Sequence, residues 1–201
     1  SERMEKYQLG PGVLALGFRY LVSLNIRDIA RPFMQELADS TDCMVALGTE
    51  DREFITYIET CQGNGPLVVR MEVGSRIPVA TSAIGRAYVA GLGEQQRARY
   101  LAQLRAHYSA ERWREIERLL ELGCEQYRQY GFCMSLGEWE PDVHGVGVPL
   151  VFKGQDEILA LNCGGVAHRL TREVIETRLG PRLVEVAAKI AEQAGGLGYT
   201  G

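Results

Sequence analysis

Three histidines, five cysteines and one closely spaced pair of acids are the residues of this 201-residue chain best equipped for chemistry. A metal site needs donors whose spacing lets them converge on one ion. His107, His144 and His168 share no such spacing and no Asp/Glu cluster accompanies them. Each reads as a surface or loop histidine, and no metal ligand is assigned. Cys43, Cys61, Cys124, Cys133 and Cys163 are odd in number and form no Cys-x-x-Cys pair. Reduced, buried thiols of a cytosolic protein fit that usage, with a redox-sensing thiol as the other reading. Glu138 and Glu140 flank Trp139. Paired carboxylates can divide acid–base work, or they can simply be the solvated end of a strand. Gly145-Val146-Gly147 lacks the third glycine and following helix of a dinucleotide site. There is no phosphate-binding loop and no nucleophile elbow. Ser82 stands where a helix cap belongs. No catalytic residue and no cofactor are therefore assigned.

Charge narrows the class further. The formal net charge is −4 and the isoelectric point is near 5.5. Arginines alternate with glutamates, as in Glu111-Arg112-Trp113-Arg114-Glu115, the pattern of a solvated helix face. Direct nucleic-acid binding by this segment is not expected. No apolar run approaches the roughly 18 residues that cross a bilayer, so no membrane partner is expected. The start of the chain lacks a secretory pattern, which makes the cytoplasm the default location. Hydrophobic residues at 46% and charged residues at 24% suit one globular domain, or one with a helical extension.

The elements that must position any site follow from periodicity. Leu14, Phe18, Leu21 and Leu24 predict a helix over 11–25, with Pro11 inside its start. Asp28 is placed to cap a second helix reaching about Ser40, with Ile29, Phe33 and Leu37 inward. Cys43–Thr49 and Phe54–Cys61 read as a hairpin, and Leu67–Met71 as a third strand. Val73–Pro78 reads as a loop. Helices are expected over 82–92, 94–104 and 110–130, the last ended by Gly131. Phe132–Glu138, Gly145–Phe152 and Glu157–Cys163 are the next strands, with a turn at 153–156. Thr171–Ala194 is a helix that Gly180-Pro181 kinks or splits. The class is α+β, an antiparallel sheet of about six strands flanked by helices, the outline of a GAF- or PAS-like sensor.

Side-chain alternation singles out one face of the sheet. If Pro149 faces inward, so do Gly145 and Gly147, while Val146, Val148 and Leu150 point the other way. The same parity puts Ile158, Ala160 and Asn162 on one face of the next strand, ending at Gly164. A face so bare leaves room for a ligand or for the close approach of a helix. The helix starting near Ser82 offers free N–H groups and a positive dipole end, which suit an anion. Together these features predict a small carboxylate with an apolar or aromatic body. Trp139 would stack on it or plug the core.

Several motifs also carry a family resemblance. Val73-Gly74-Ser75-Arg76-Ile77-Pro78, followed by Ser82-Ala83-Ile84-Gly85-Arg86-Ala87, resembles the signature of the IclR effector-binding domain. Ile29-x-Arg31-Pro32-x-x-x-Glu36-Leu37-Ala38 resembles its linker-side helix, Val146-Gly147-Val148-Pro149-Leu150 its Pro-containing strand, and Tyr7-x-Leu9-Gly10 the exit from its winged helix-turn-helix domain. Arg86 stands where lysine is commoner, and Gly147 and Val148 where alanines are. The resemblance implies a DNA-binding connection and linker helix over 1–27 and an effector-binding domain over 28–201. It implies assembly as dimer or tetramer, a small-molecule effector, and DNA contact only through an N-terminal domain absent from this chain. By position it places Leu67, Ile77, Ala83, Ile84, Glu138, Trp139, Pro149, Asn162 and Gly164 at the ligand, to which the residues' own pattern adds Ser82 and Gly147. Two other readings remain: a thiol-dependent methionine sulfoxide reductase using Cys61, Cys133 or Cys163, and an oligomerisation module without a ligand.

Overall fold

The computed structural model describes residues 11–65, 70–152 and 158–196, apart from the side chains of residues 11, 14, 18 and 196. Tyr7–Gly10, Leu67 and the turn at 153–156 lie outside the described residues. Two helices, α1 (Pro11–Ser23) and α2 (Ile26–Thr41), lead into β1 (Met44–Asp51), β2 (Phe54–Gln62) and β3 (Arg76–Pro78). Three helices follow: α3 (Ala83–Gly91), α4 (Glu94–Arg105) and α5 (Ala110–Tyr130). Then come β4 (Cys133–Leu136), β5 (Val143–Val151) and β6 (Ile158–Val166). The chain continues through α6 (Arg172–Val174), a π turn (Ile175–Leu179) and α7 (Gly180–Gly196). The six strands form one sheet in the order β3-β2-β1-β6-β5-β4, antiparallel throughout. The α+β class holds, and so does a break near Gly180-Pro181. Pro181 has no N–H for the bond to the preceding turn, and the π turn sits immediately before it.

Alternation divides the interior into two cores. Val146, Val148, Leu150, Leu159, Leu161 and Cys163 enter the core shared with α2 and α7. Met44, Ala46, Ile158 and Ala160 enter the core under α3, α4 and α5. β2 changes sides partway along. Its pairing with β1 shifts register between Leu47 and Gly48, and such a bulge re-aims the residues after it. Ile55 and Tyr57 therefore face the α3 side, while Ile58 and Cys61 join the α2 side. Glu59 also turns toward α2, where its buried carboxylate accepts from Arg27 Nη2 at 2.9 Å and Arg31 Nη1 at 2.7 Å.

That ion pair corrects the reading of α2. Asp28 lies inside the first turn, and Asn25 occupies the cap position without a side-chain hydrogen bond. The buried row is Ile26, Ala30, Met34 and Leu37, with Ile29 and Phe33 only half-buried. Turning Arg27 and Arg31 toward Glu59 rotates the helix away from the predicted stripe. Residues 67–69 of the expected strand Leu67–Met71 lie outside the described residues, and the third strand described comes later in the chain. It is Arg76–Pro78, pairing with Thr56, Ile55 and Phe54 of β2, in a segment read as loop. Three residues with one inward side chain carry no alternation to detect. Pro78 is tolerated because β3 is an edge.

α3 rests almost backbone to backbone on its surroundings. A Cβ on Gly147 of β5 would lie 2.5 Å from the Ala83 carbonyl oxygen, and one on Gly85 of α3 would lie 2.2 Å from that of Val79. Ser82 fixes the helix start: its Oγ accepts from Gly85 N at 3.2 Å and donates to Pro78 O at 2.7 Å. Gly145, on the same face of β5, is different, because a methyl there would meet nothing nearer than 3.6 Å. Gly147→Val is expected to cost about 1–3 kcal/mol or more by overpacking, whereas Gly145→Ala should be close to neutral. Urea denaturation of both variants checks this, and equal losses would contradict the close approach of α3.

Candidate functional site

The N-terminus of α3 overhangs a small cavity on the bare face of the sheet. Its volume is about 30 Å³, room for about one water molecule. Ser82 and Ala83 form the roof, and Gly145, Asn162 and Gly164 the floor. Met44, Tyr57 and Ile77 close one side; Ser135, Trp139, Val143 and His144 close the other. Tyr57, Asn162, Ser82 and Ser135 are all buried, whereas Trp139 and His144 are half-buried at the rim.

Two of these buried side chains have unmet hydrogen-bonding capacity. Neither Tyr57 Oη nor Asn162 Oδ1 has a partner. Burial pushes the Tyr57 phenol well above its ordinary value, and the adjacent Asn162 amide only moderates the rise. The phenol therefore stays protonated and can donate. His144 Nδ1 lies 2.7 Å from Leu170 O. A carbonyl only accepts, so Nδ1 is the donor, and alternation turns the ring to the face of the sheet opposite the cavity, the side of Val146 and Leu170. Ser135 Oγ donates to Thr81 O at 2.8 Å.

Behind the cavity lies a fully buried arginine. Arg86 Nε donates to Ala80 O at 2.8 Å, and Nη1 donates to Met134 O at 2.7 Å and Glu138 Oε1 at 3.3 Å. Nη2 has no partner. Desolvation lowers the Arg86 pKa, against the pull of Glu138. For Glu138, burial raises the pKa, but the Arg86 charge and backbone N–H groups outweigh it and hold the carboxyl below its ordinary value. Glu138 also accepts from Leu136 N, closing its own turn.

The structure brings Ile77, Ser82, Ala83, Trp139, Asn162 and Gly164 to the cavity, and separates four other predicted residues from it. Gly147 lies under α3 for want of space, as above. Pro149 packs its Cβ against Gly91. Ile84 is core, directed at Gly48. Glu138 is committed to Arg86. Leu67 is outside the described residues. Sequence reasoning missed Met44, Tyr57, Ser135, Val143 and His144. Tyr57 depends on the bulge, and Met44 on the register that sets it opposite Gly164. His144 was one residue short of the expected start of β5.

The thiols lie elsewhere. Burial pushes Cys61 up to about 11 and raises Cys133, while the hydrogen bond with Cys43, then burial, raises Cys163, so these three are thiols at neutral pH, where a reductase nucleophile must be a thiolate. Cys43 is the exception. A hydrogen bond with Cys163 overcomes burial and, with smaller help from Thr41 and Arg169, brings it to about 7. Among the described residues no His/Cys/Asp/Glu group is arranged to hold a metal. No described helix is long and apolar enough to cross a membrane.

Comparison with known proteins is consistent across the chain. Residues 18–192 match the family described as bacterial transcriptional regulator IclR C-terminal. The HTH-type transcriptional regulator TsaQ1/TsaQ2 of Comamonas testosteroni is 26% identical over 190 residues, 94% of this chain and 68% of that protein. The Pca regulon regulatory protein of Pseudomonas putida is 26% identical over 188 residues, 93% of this chain and 65% of that one. The chain thus spans about two thirds of the length of these relatives. A crystal structure of an IclR-family transcriptional regulator from Brucella abortus superposes with a TM-score of 0.86 at 37% identity, covering 96% of this chain and 72% of that one.

The Arg86–Glu138 pair generates a pH prediction. A carboxyl held below its ordinary value of 4.5 stabilises the fold fully above that value. The contribution is lost as pH falls through the lower folded value. Glu138→Gln should destabilise the chain by about 1–3 kcal/mol at neutral pH, the pair being buried on one side only. The loss should shrink on acidification. Denaturation midpoints from pH 7 to pH 3 check it, and a loss independent of pH would contradict the assignment.

Proposed function

The chain belongs to the IclR family of bacterial transcriptional regulators, matching its C-terminal domain, and from that premise we propose that it senses a small organic carboxylate beneath α3. One observation carries the reading. Tyr57 Oη and Asn162 Oδ1 are buried without partners in the cavity that the N-terminus of α3 overhangs. An unsatisfied buried polar atom costs roughly 1–3 kcal/mol, and a ligand that satisfies both recovers that cost. A carboxylate accepts hydrogen bonds from Tyr57 Oη and from the free N–H groups at the start of α3, where the helix dipole favours negative charge. Asn162 Oδ1 accepts from a hydroxyl on the ligand body. Met44 and Ile77 supply apolar walls. Because the cavity holds only about one water, the ligand body displaces Trp139, the half-buried aromatic at the rim.

The response follows from linkage: a ligand shifts only an equilibrium whose two states it binds unequally. Tyr57 meets the ligand on one face of β2, and Glu59, two residues on, holds α2 on the other through Arg27 and Arg31. Movement at Tyr57 thus reaches α2 and, beyond it, α1. α1 exposes Val13, Leu16, Tyr20 and Val22, which suits self-association as a dimer or tetramer. The relative TsaQ1/TsaQ2 is named an HTH-type transcriptional regulator. In this reading 1–27 connects to a DNA-binding segment of a longer protein, 28–201 is the sensor, and the cytoplasm is its location.

Calorimetry and tryptophan fluorescence with benzoate, a hydroxybenzoate and succinate, with benzamide as the neutral control, test the proposal. At least one carboxylate should bind and change Trp139 emission, a response absent in Trp139→Phe. Tyr57→Phe should weaken binding about tenfold while leaving stability unchanged or slightly higher, since it deletes an unpaired hydroxyl. Benzamide binding as tightly as benzoate, or an indifferent Tyr57→Phe, would sink the carboxylate reading. The absence of any concentration-dependent stabilisation would favour a pure oligomerisation module.

A further inference from the structure

On the other side of the molecule, where the end of α2 meets the turn into α7, lies a wider groove of about 480 Å³, within the range of metabolite sites. Its floor is apolar, from Leu170, Val174 and Leu179, and its rim carries Arg169, Arg178 and Arg182 against one acid, Asp42. We propose that this groove is a second binding site, for a compact metabolite carrying two or more carboxylate or phosphate charges. The site stands independently of the carboxylate reading for the cavity beneath α3.

Three features of charge and geometry support it. The chain carries a net charge of −4, yet three guanidiniums converge on one concavity. Arg178 and Arg182 are four residues apart, a spacing at which like charges on adjacent helical turns repel. An anion between them turns that cost into a gain. The existing pairings are also weak competitors. Arg169 reaches Asp42 at 3.2 Å and Arg182 reaches Glu36 at 3.5 Å, all four side chains being 39% or more exposed, a setting in which ion pairs contribute little. Arg178 has no ion pair among the described residues. Guanidinium forks match carboxylate and phosphate alike by paired hydrogen bonds. The apolar floor and the volume favour a small molecule over a single inorganic ion.

The test is calorimetry on the 201-residue chain with citrate, pyrophosphate and inorganic phosphate at fixed ionic strength. Citrate or pyrophosphate should bind once per chain; which of the two binds tighter separates polycarboxylates from phosphate esters. Arg178→Gln, at an exposed and unpaired position, should weaken binding about tenfold by removing charge-assisted hydrogen bonds. Asp42→Asn should tighten it, because the competing carboxylate is gone while asparagine accommodates the left-handed backbone there (φ 53°). Tyr57→Phe should leave this binding untouched, which separates failure here from failure of the cavity reading. The proposal is overturned if no probe binds, if Arg178→Gln binds like the parent, or if Arg112→Gln on α5 weakens binding equally.

Discussion

The seating of α3 on β5 is the constraint on which the rest of this domain depends. Side chains normally stand between a helix and the sheet it covers. Here Gly147 of β5 lets main chain approach main chain beneath Ala83, and Gly85 of α3 does the same against Val79, just after β3. That contact is not adjustable, since any Cβ at either place would overlap a carbonyl. It therefore fixes where the helix begins as well as where it lies. Ser82 caps α3 directly beside the one part of the face that the helix leaves open, between Gly145 and Gly164. The cavity is what remains when α3 is pressed down at Gly147 and stops short of Gly145.

Two ion pairs, each with one buried member, hold the pieces that packing alone would leave free to slide. Arg86 joins α3 to β4 through Met134 O and to the following turn through Glu138. Glu59 joins β2 to α2 through two arginines. Neither is strong evidence for stability, because desolvation offsets most of the attraction. Their effect is to make specific arrangements costly to leave. A helix held by a buried bidentate carboxylate has few alternative rotations, and the observed stripe of α2 departs from its simplest amphipathic prediction for this reason. In a sensor, such contacts define discrete states between which a ligand can choose.

What the sequence disclosed depended on whether the signal was local. The parity of β5 and β6 was legible because valines and leucines alternate with glycines and alanines. Asn162 and Gly164 followed from that alternation. The start of α3 was legible from Ser82, whose capping role is set by its immediate neighbours. Gly145 and Gly147 could not be told apart, since they share a face and a residue type and differ only in whether a helix from elsewhere presses on them. Tyr57 was hidden by a bulge defined through pairing with Leu47 and Gly48, a property of two strands rather than one. The burial of Arg86 gave no sign either. Its motif position was recognisable, but an arginine in an amphipathic helix ordinarily reaches solvent.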